Sequence, residues 1–172
     1  MRKIKWLIIL IVVLIGIVFV FQKLNHQENT LTRKNILTRK VLLYYYNPLL
    51  DKDQTGNIKC SESGLVPIER EIPLSKTPLK ETLNLLLKGK ANLNEEDINN
   101  GITTEFPLEG FSLKEVNLTP DGTLILKFED LLNKTVGGSC RVNILRNEIL
   151  KTAKQFKEVK QVKFLPEELF QP

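Results

Sequence analysis

The chain has 172 residues, with 25 lysines and arginines against 20 acids and one histidine, a length that suits one domain or one domain plus a targeting segment. Its net charge of +5 comes from the first 40 residues, which carry eight basic side chains and one acid, Glu28; the remaining 132 carry 17 basic and 19 acidic side chains. A basic excess confined to one end argues against nucleic acid as a partner, and 132 residues can bury a core without metals or many disulfides.

Trp6 to Phe21 is an unbroken apolar run of 16 residues, counting Gly16, bracketed by Lys5 and Lys23. A helix of that length spans roughly 24 Å, and Ile4, Leu24 and two snorkelling lysines extend it toward a ~30 Å hydrocarbon core. A cleaved signal peptide is the alternative, but no Ala-x-Ala pattern follows the run and no cysteine marks a lipoprotein. Arg2, Lys3 and Lys5 place the N-terminus on the cytoplasmic side. The expectation is a cytoplasmic N-terminus over 1–5, a transmembrane signal anchor over 6–24, a polar tether over 25–39 and an extracytoplasmic domain over 40–172. The protein would then be single-pass in the cytoplasmic membrane.

Val41 to Tyr46 is rich in β-branched and aromatic residues and stops at Asn47-Pro48, which reads as a buried strand. A polar loop, Asp51 to Ser63, leads to an alternating strand over Leu65 to Ile72, with Pro67 placing it near an edge. Thr77-Pro78 is an N-cap with proline at the first helical position. Leu79, Leu83, Leu86 and Leu87 then recur at helical spacing up to Gly89, which predicts a helix over 78–88. Ala91 to Phe106 is polar and reads as a long loop. Phe111 to Leu118 and Thr123 to Phe128 flank the turn Pro120-Asp121-Gly122 and form a hairpin. Gly137-Gly138-Ser139 introduces a helix whose Val142, Leu145, Ile149, Ala153 and Phe156 make one apolar stripe, and Val159 to Leu165 alternates as a last strand. The order is β-β-α-β-β-α-β. It predicts an α+β two-layer sandwich, a mixed β-sheet with two helices on one face, preceded by one N-terminal transmembrane helix.

The predicted domain has no histidine, since His26 lies in the tether, so Ser-His, Cys-His and most zinc arrangements are absent from it. Glu95-Glu96-Asp97 lacks the alternate-position ligands and turn glycine of a calcium loop, and reads as a solvated loop. Gly137-Gly138-Ser139 before a helix has the outline of a phosphate cradle but not the Lys-Ser/Thr of a P-loop; the plain reading is a tight turn with Ser139 as N-cap. Cys60 and Cys140 are candidates for a disulfide if the domain is exported, and are two unpaired thiols otherwise. Arg141, Arg146, Lys151 and Lys154 make a candidate interaction face for an anionic wall polymer, lipid headgroups or an acidic partner, against the plain reading of a solvated helix face. No residue set points to catalysis, a cofactor or a metal.

Residues 41–172 resemble the GerMN domain family, named for a sporulation and spore-germination protein and found in bacterial envelope proteins. The resemblance rests on the opening strand Val41–Tyr46, on Val66-Pro67-Ile68-Glu69-Arg70, and on Leu85-Leu86-Leu87-Lys88-Gly89. It extends through Gly101-Ile102-Thr103-Thr104-Glu105-Phe106-Pro107, Leu126-Lys127-Phe128 and Gly137-Gly138-Ser139-Cys140-Arg141-Val142. Thr152, Gln155, Phe156, Val159 and Val162 complete it. The sequence departs from the family at Lys90, where a Gly-Pro often follows the first helix, and at Pro166-Glu167-Glu168, where a glycine turn is usual. The resemblance implies a non-enzymatic module similar to ring-building domains of envelope assemblies, with an envelope protein or a second copy as partner. Binding of cell-wall polymer is the alternative.

Overall fold

The computed structural model describes residues 15–23 and 37–172. Residues 15–23 are helical. Such a piece rises about 14 Å, half of a ~30 Å hydrocarbon core. The expected transmembrane helix over 6–24 is therefore corrected: among the described residues no helix is long and apolar enough to cross a membrane. The rest of that span, residues 6–14 and 24, lies outside the described residues, as do the expected N-terminus over 1–5 and most of the tether, 25–36.

Arg39–Pro172 is a compact unit in its own right. Its elements are β1 (Thr38–Tyr46), β2 (Leu65–Pro73), α1 (Pro78–Leu86), α2 (Glu95–Asn99), β3 (Phe111–Leu118), β4 (Thr123–Asp130), α3 (Ser139–Ala153) and β5 (Gln161–Leu165). Single 3-10 turns lie at Pro48–Leu50, Glu62–Gly64 and Gly89–Asn92. The class is α+β. The strands do not form one sheet, however: β1 pairs with β2, and β3-β4-β5 make a separate three-stranded sheet. In the latter, β3 runs antiparallel to β4, from Phe111 opposite Asp130 to Leu118 opposite Leu124. β5 runs parallel to β4, from Gln161 opposite Thr123 to Leu165 opposite Lys127.

One apolar core joins these pieces. Leu124, Leu126 and Phe128 point inward from β4, with Leu43 and Tyr45 from β1, Leu79, Leu83 and Leu86 from α1, and Val142, Leu145, Ile149 and Ala153 from α3. Period-two spacing buries one face of β4, and period-3.6 spacing buries one stripe of each long helix. Glycine is required where α1 ends. Gly89 has φ +53°, and a Cβ there would lie 1.8 Å from the Phe106 carbonyl oxygen. That oxygen accepts a hydrogen bond from Lys90 N–H at 3.0 Å.

Two local readings of the sequence are corrected. The polar stretch after α1 is not all loop, because α2 occupies Glu95–Asn99. Asn94 and Asp97 close a reciprocal capping box around its first turn, and Glu95-Glu96-Asp97 sit where the helix dipole favours carboxylates. At α3 the N-cap is Gly138 rather than Ser139, with no side-chain cap bond.

Candidate interaction surface

The polar residues of α3 define how the domain is sealed. Glu148, Thr152 and Gln155 follow i, i+4, i+7 spacing and so project from one side of the helix. Glu148 Oε1 accepts from Tyr46 N–H at 3.1 Å, Thr152 Oγ1 from Tyr44 N–H at 3.0 Å, and Gln155 Oε1 from Leu42 N–H at 2.8 Å. Gln155 Nε2 returns a bond to Leu42 C=O at 2.7 Å. The three side chains thus take the place of a neighbouring strand along the edge of β1 that β2 leaves open. This is why the strands part into two sheets. An unpaired edge invites another chain, and the helix removes that opportunity here.

Glu148 is completely buried. Its second oxygen accepts from the Thr104 hydroxyl at 2.8 Å. Burial pushes its carboxyl up to about 8, against the opposing effect of the Thr104 and Tyr46 hydrogen bonds. A buried, perturbed acid is often catalytic. This one spends its oxygens on backbone and hydroxyl donors inside the core and lines none of the larger open clefts found among the described residues.

The loop between β1 and β2 is held twice. Cys60 and Cys140 form a disulfide with Cα atoms 5.2 Å apart, joining this loop to the first turn of α3. Buried Asp51 is the second anchor. It accepts from Tyr46 Oη at 2.7 Å, Ser61 N–H at 2.6 Å, Ser61 Oγ at 2.5 Å and Ser63 Oγ at 2.7 Å, with Lys59 Nζ 3.6 Å away. Burial opposes ionisation of Asp51, and the hydrogen bonds from Ser61, Tyr46 and Ser63 outweigh it, holding the carboxyl well below its usual range. Asp97, from the acidic run, is occupied by its cap and by Arg70 at 2.9 Å. No group of acids, cysteines or histidines among the described residues could hold a metal ion.

The four basic residues of the candidate face have different surroundings. Arg141 is tied down by Glu105 at 2.6 Å and by the Val136 carbonyl at 2.6 Å. Arg146 lies over the Phe164 ring at 5.6 Å. Lys151 and Lys154 do come together, beside β1, in an open cleft of about 380 Å³ that Tyr44, Glu62 and Gln155 complete. Lys151 Nζ sits 6.0 Å from the Tyr44 ring centre. At 100° per residue these positions spread around the helix, with 151 and 154 the nearest pair in angle.

A different surface stands out by its chemistry. β1 and β4 finish, and β2 and α3 begin, at one end of the domain, where the Cys60–Cys140 bridge ties the loops together. Leu49, Leu50 and Ile58 stand exposed on the β1–β2 connection, and Leu131 (70%), Leu132 and Val136 on the β4–α3 connection. Sequence reasoning passed over them because isolated apolar residues in loops carry no periodic signal. By contrast, the outer strands of the three-stranded sheet are poor docking edges: β3 is bulged between Leu113 and Glu115, and β5 is five residues long with an outward Lys163.

Comparison with known proteins supplies the family. Over residues 42–168 the chain matches the family model Germane, described as sporulation and spore germination. Among solved structures it is similar to the tandem GerMN domains of the sporulation protein GerM from Bacillus subtilis, with a TM-score of 0.50 and 21% identity over 76% of this chain. It spans only 40% of that tandem chain. The first GerMN domain of the same protein matches with a TM-score of 0.46 and 21% identity, over 72% of this chain and 80% of that one. No match was found among curated proteins. The chain belongs to the Germane family of sporulation and spore-germination domains.

Proposed function

We propose that the domain is a non-enzymatic module for protein–protein contact or assembly in the bacterial cell envelope, acting outside the cytoplasm. The observation that carries this reading is the set of exposed leucines, isoleucine and valine on the β1–β2 and β4–α3 connections, the first of which the disulfide ties to the start of α3. Exposed apolar side chains that lie together mark interaction sites, and here Leu49-Leu50 and Leu131-Leu132 stand out as adjacent pairs. The disulfide supports an oxidising compartment. Two buried acids, Glu148 and Asp51, spend their oxygens on donors inside the fold, which favours a structural role for both.

The test is crosslinking of the full chain in cells, followed by mass spectrometry of what it captures. Links from residues 49–58 or 131–136 to a defined envelope protein, or to a second copy, support the reading. Recovery of no protein above background sinks it. The cleft of Tyr44, Lys151 and Lys154 favours a second reading, contact with an anionic wall polymer. Binding to isolated wall material that weakens as salt rises would move this reading to the front.

A further inference from the structure

The segment after β5, residues 166–172, closes the same end of the domain in an unusual way. Leu169 and Phe170 are buried, while their neighbours Glu167, Glu168, Gln171 and Pro172 are exposed. Phe170 fills a slot of three aromatic rings, 5.2 Å from Phe164, 5.9 Å from Phe111 and 6.5 Å from Phe128 between ring centres, edge-on to each. Edge-to-face contact at these distances is favourable and shape-selective. Yet the hydrogen bonds of the segment stay within it: Leu169 N–H donates to Pro166 C=O, and Gln171 Nε2 to Glu167 C=O. Phe170 also holds φ +59°, a backbone region that bulky residues rarely occupy. Concavities of about 550, 470 and 350 Å³ border the segment.

We propose that residues 166–172 form an exchangeable strap, and that Phe170 of one copy enters the Phe111–Phe128–Phe164 slot of a second copy while the second copy returns the contact. This rests on the assembly reading above. Three features support it. The strap loses no hydrogen bond to the body of the domain when it lifts. The slot's occupant is a piece of this same chain, so any second copy carries a side chain already matched to it. Finally, the strap leaves from the end that exposes Leu131, Leu132 and Val136, which would be covered between two copies. Reciprocal insertion is a closed two-fold arrangement, and exchange of an identical element is a low-cost route to it.

The test replaces Phe170 with the photoreactive residue benzoylphenylalanine in the full chain, mixes isotopically light and heavy copies, illuminates and maps the links. Exchange predicts light–heavy links from position 170 to peptides carrying Phe111, Phe128 or Phe164, increasing with concentration. Links that are all light–light or heavy–heavy overturn it. A companion measurement is the size of the parent chain against Phe170→Ala, each checked for folding by its melting transition. Loss of the two-copy species in the folded variant supports the strap. Unchanged self-association overturns the strap and leaves the assembly reading standing, whereas absence of any captured partner in cells would end the assembly reading itself.

Discussion

Replacing Glu148 by glutamine tests whether this acid is stored in the fold as a neutral group. The carboxyl is completely buried and its pKa lies at about 8 in the folded domain against 4.5 for the free side chain. Between those values the folded state keeps a proton that the unfolded chain has released. The stabilisation associated with Glu148 is therefore complete below about pH 4.5 and is lost as pH rises through about 8. From pH 5 to pH 8 that loss amounts to about 3.5 kcal/mol. The amide of Glu148→Gln carries no such dependence. It can still accept from Tyr46 N–H, while Thr104 turns its hydroxyl to accept from the new NH2 group. At pH 5 the variant should sit within about 1 kcal/mol of the parent, the worth of one imperfect hydrogen bond. At pH 8 it should be the more stable of the two by several kcal/mol. Urea unfolding of the full chain, followed by far-ultraviolet circular dichroism at pH 5, 6, 7 and 8, reads the difference. Every other acid cancels in that comparison. Parallel stability curves for the two proteins would refute the reasoning.

Three further outcomes follow from the same contacts. Thr152→Val keeps the shape but leaves Tyr44 N–H without its acceptor, so it should cost about 1–3 kcal/mol in the same urea assay. A cost near zero would mean that the covered edge of β1 is satisfied in another way. Gly89→Ala places a methyl group on the Phe106 carbonyl and forces a left-handed backbone on alanine, so its melting transition should fall by well over what a surface substitution causes. The doubly substituted Cys60→Ser, Cys140→Ser chain opens a link between residues 80 apart in sequence. The chain-entropy argument gives a loss of about 4 kcal/mol. A loss under about 1 kcal/mol would indicate that the unfolded chain keeps residues 60 and 140 near each other without the bridge.

Regular elements with a strong period were legible in the sequence. The Leu79, Leu83, Leu86 spacing marked α1, the Val142–Ala153 stripe marked α3, and the alternation of Leu124, Leu126 and Phe128 marked β4. Short or aperiodic features were not. Five residues of α2 are too few to show a helical period, and its signal lay instead in the Asn94–Asp97 pair that caps it. Of the candidate face, Lys151 and Lys154 meet in one cleft, while Arg141 and Arg146 were drawn to Glu105 and Phe164, partners more than 15 residues away in sequence. The apolar run at the N-terminus carried the hydropathy of a membrane span, yet the described helix is too short to be one.

The sequence by itself determined the α+β class, the family resemblance, the absence of histidine chemistry from the domain and the positions of the long elements. These depend on local spacing and on residue type, which a single chain displays directly. Only the tertiary structure decided that Glu148, Thr152 and Gln155 take the place of a strand, that the sheet divides in two, and that Phe170 is buried among three rings. Each of those depends on partners far apart in sequence. Glu148 and Tyr46 are 102 residues apart, and burial of a polar group can be read only once its partner is in place.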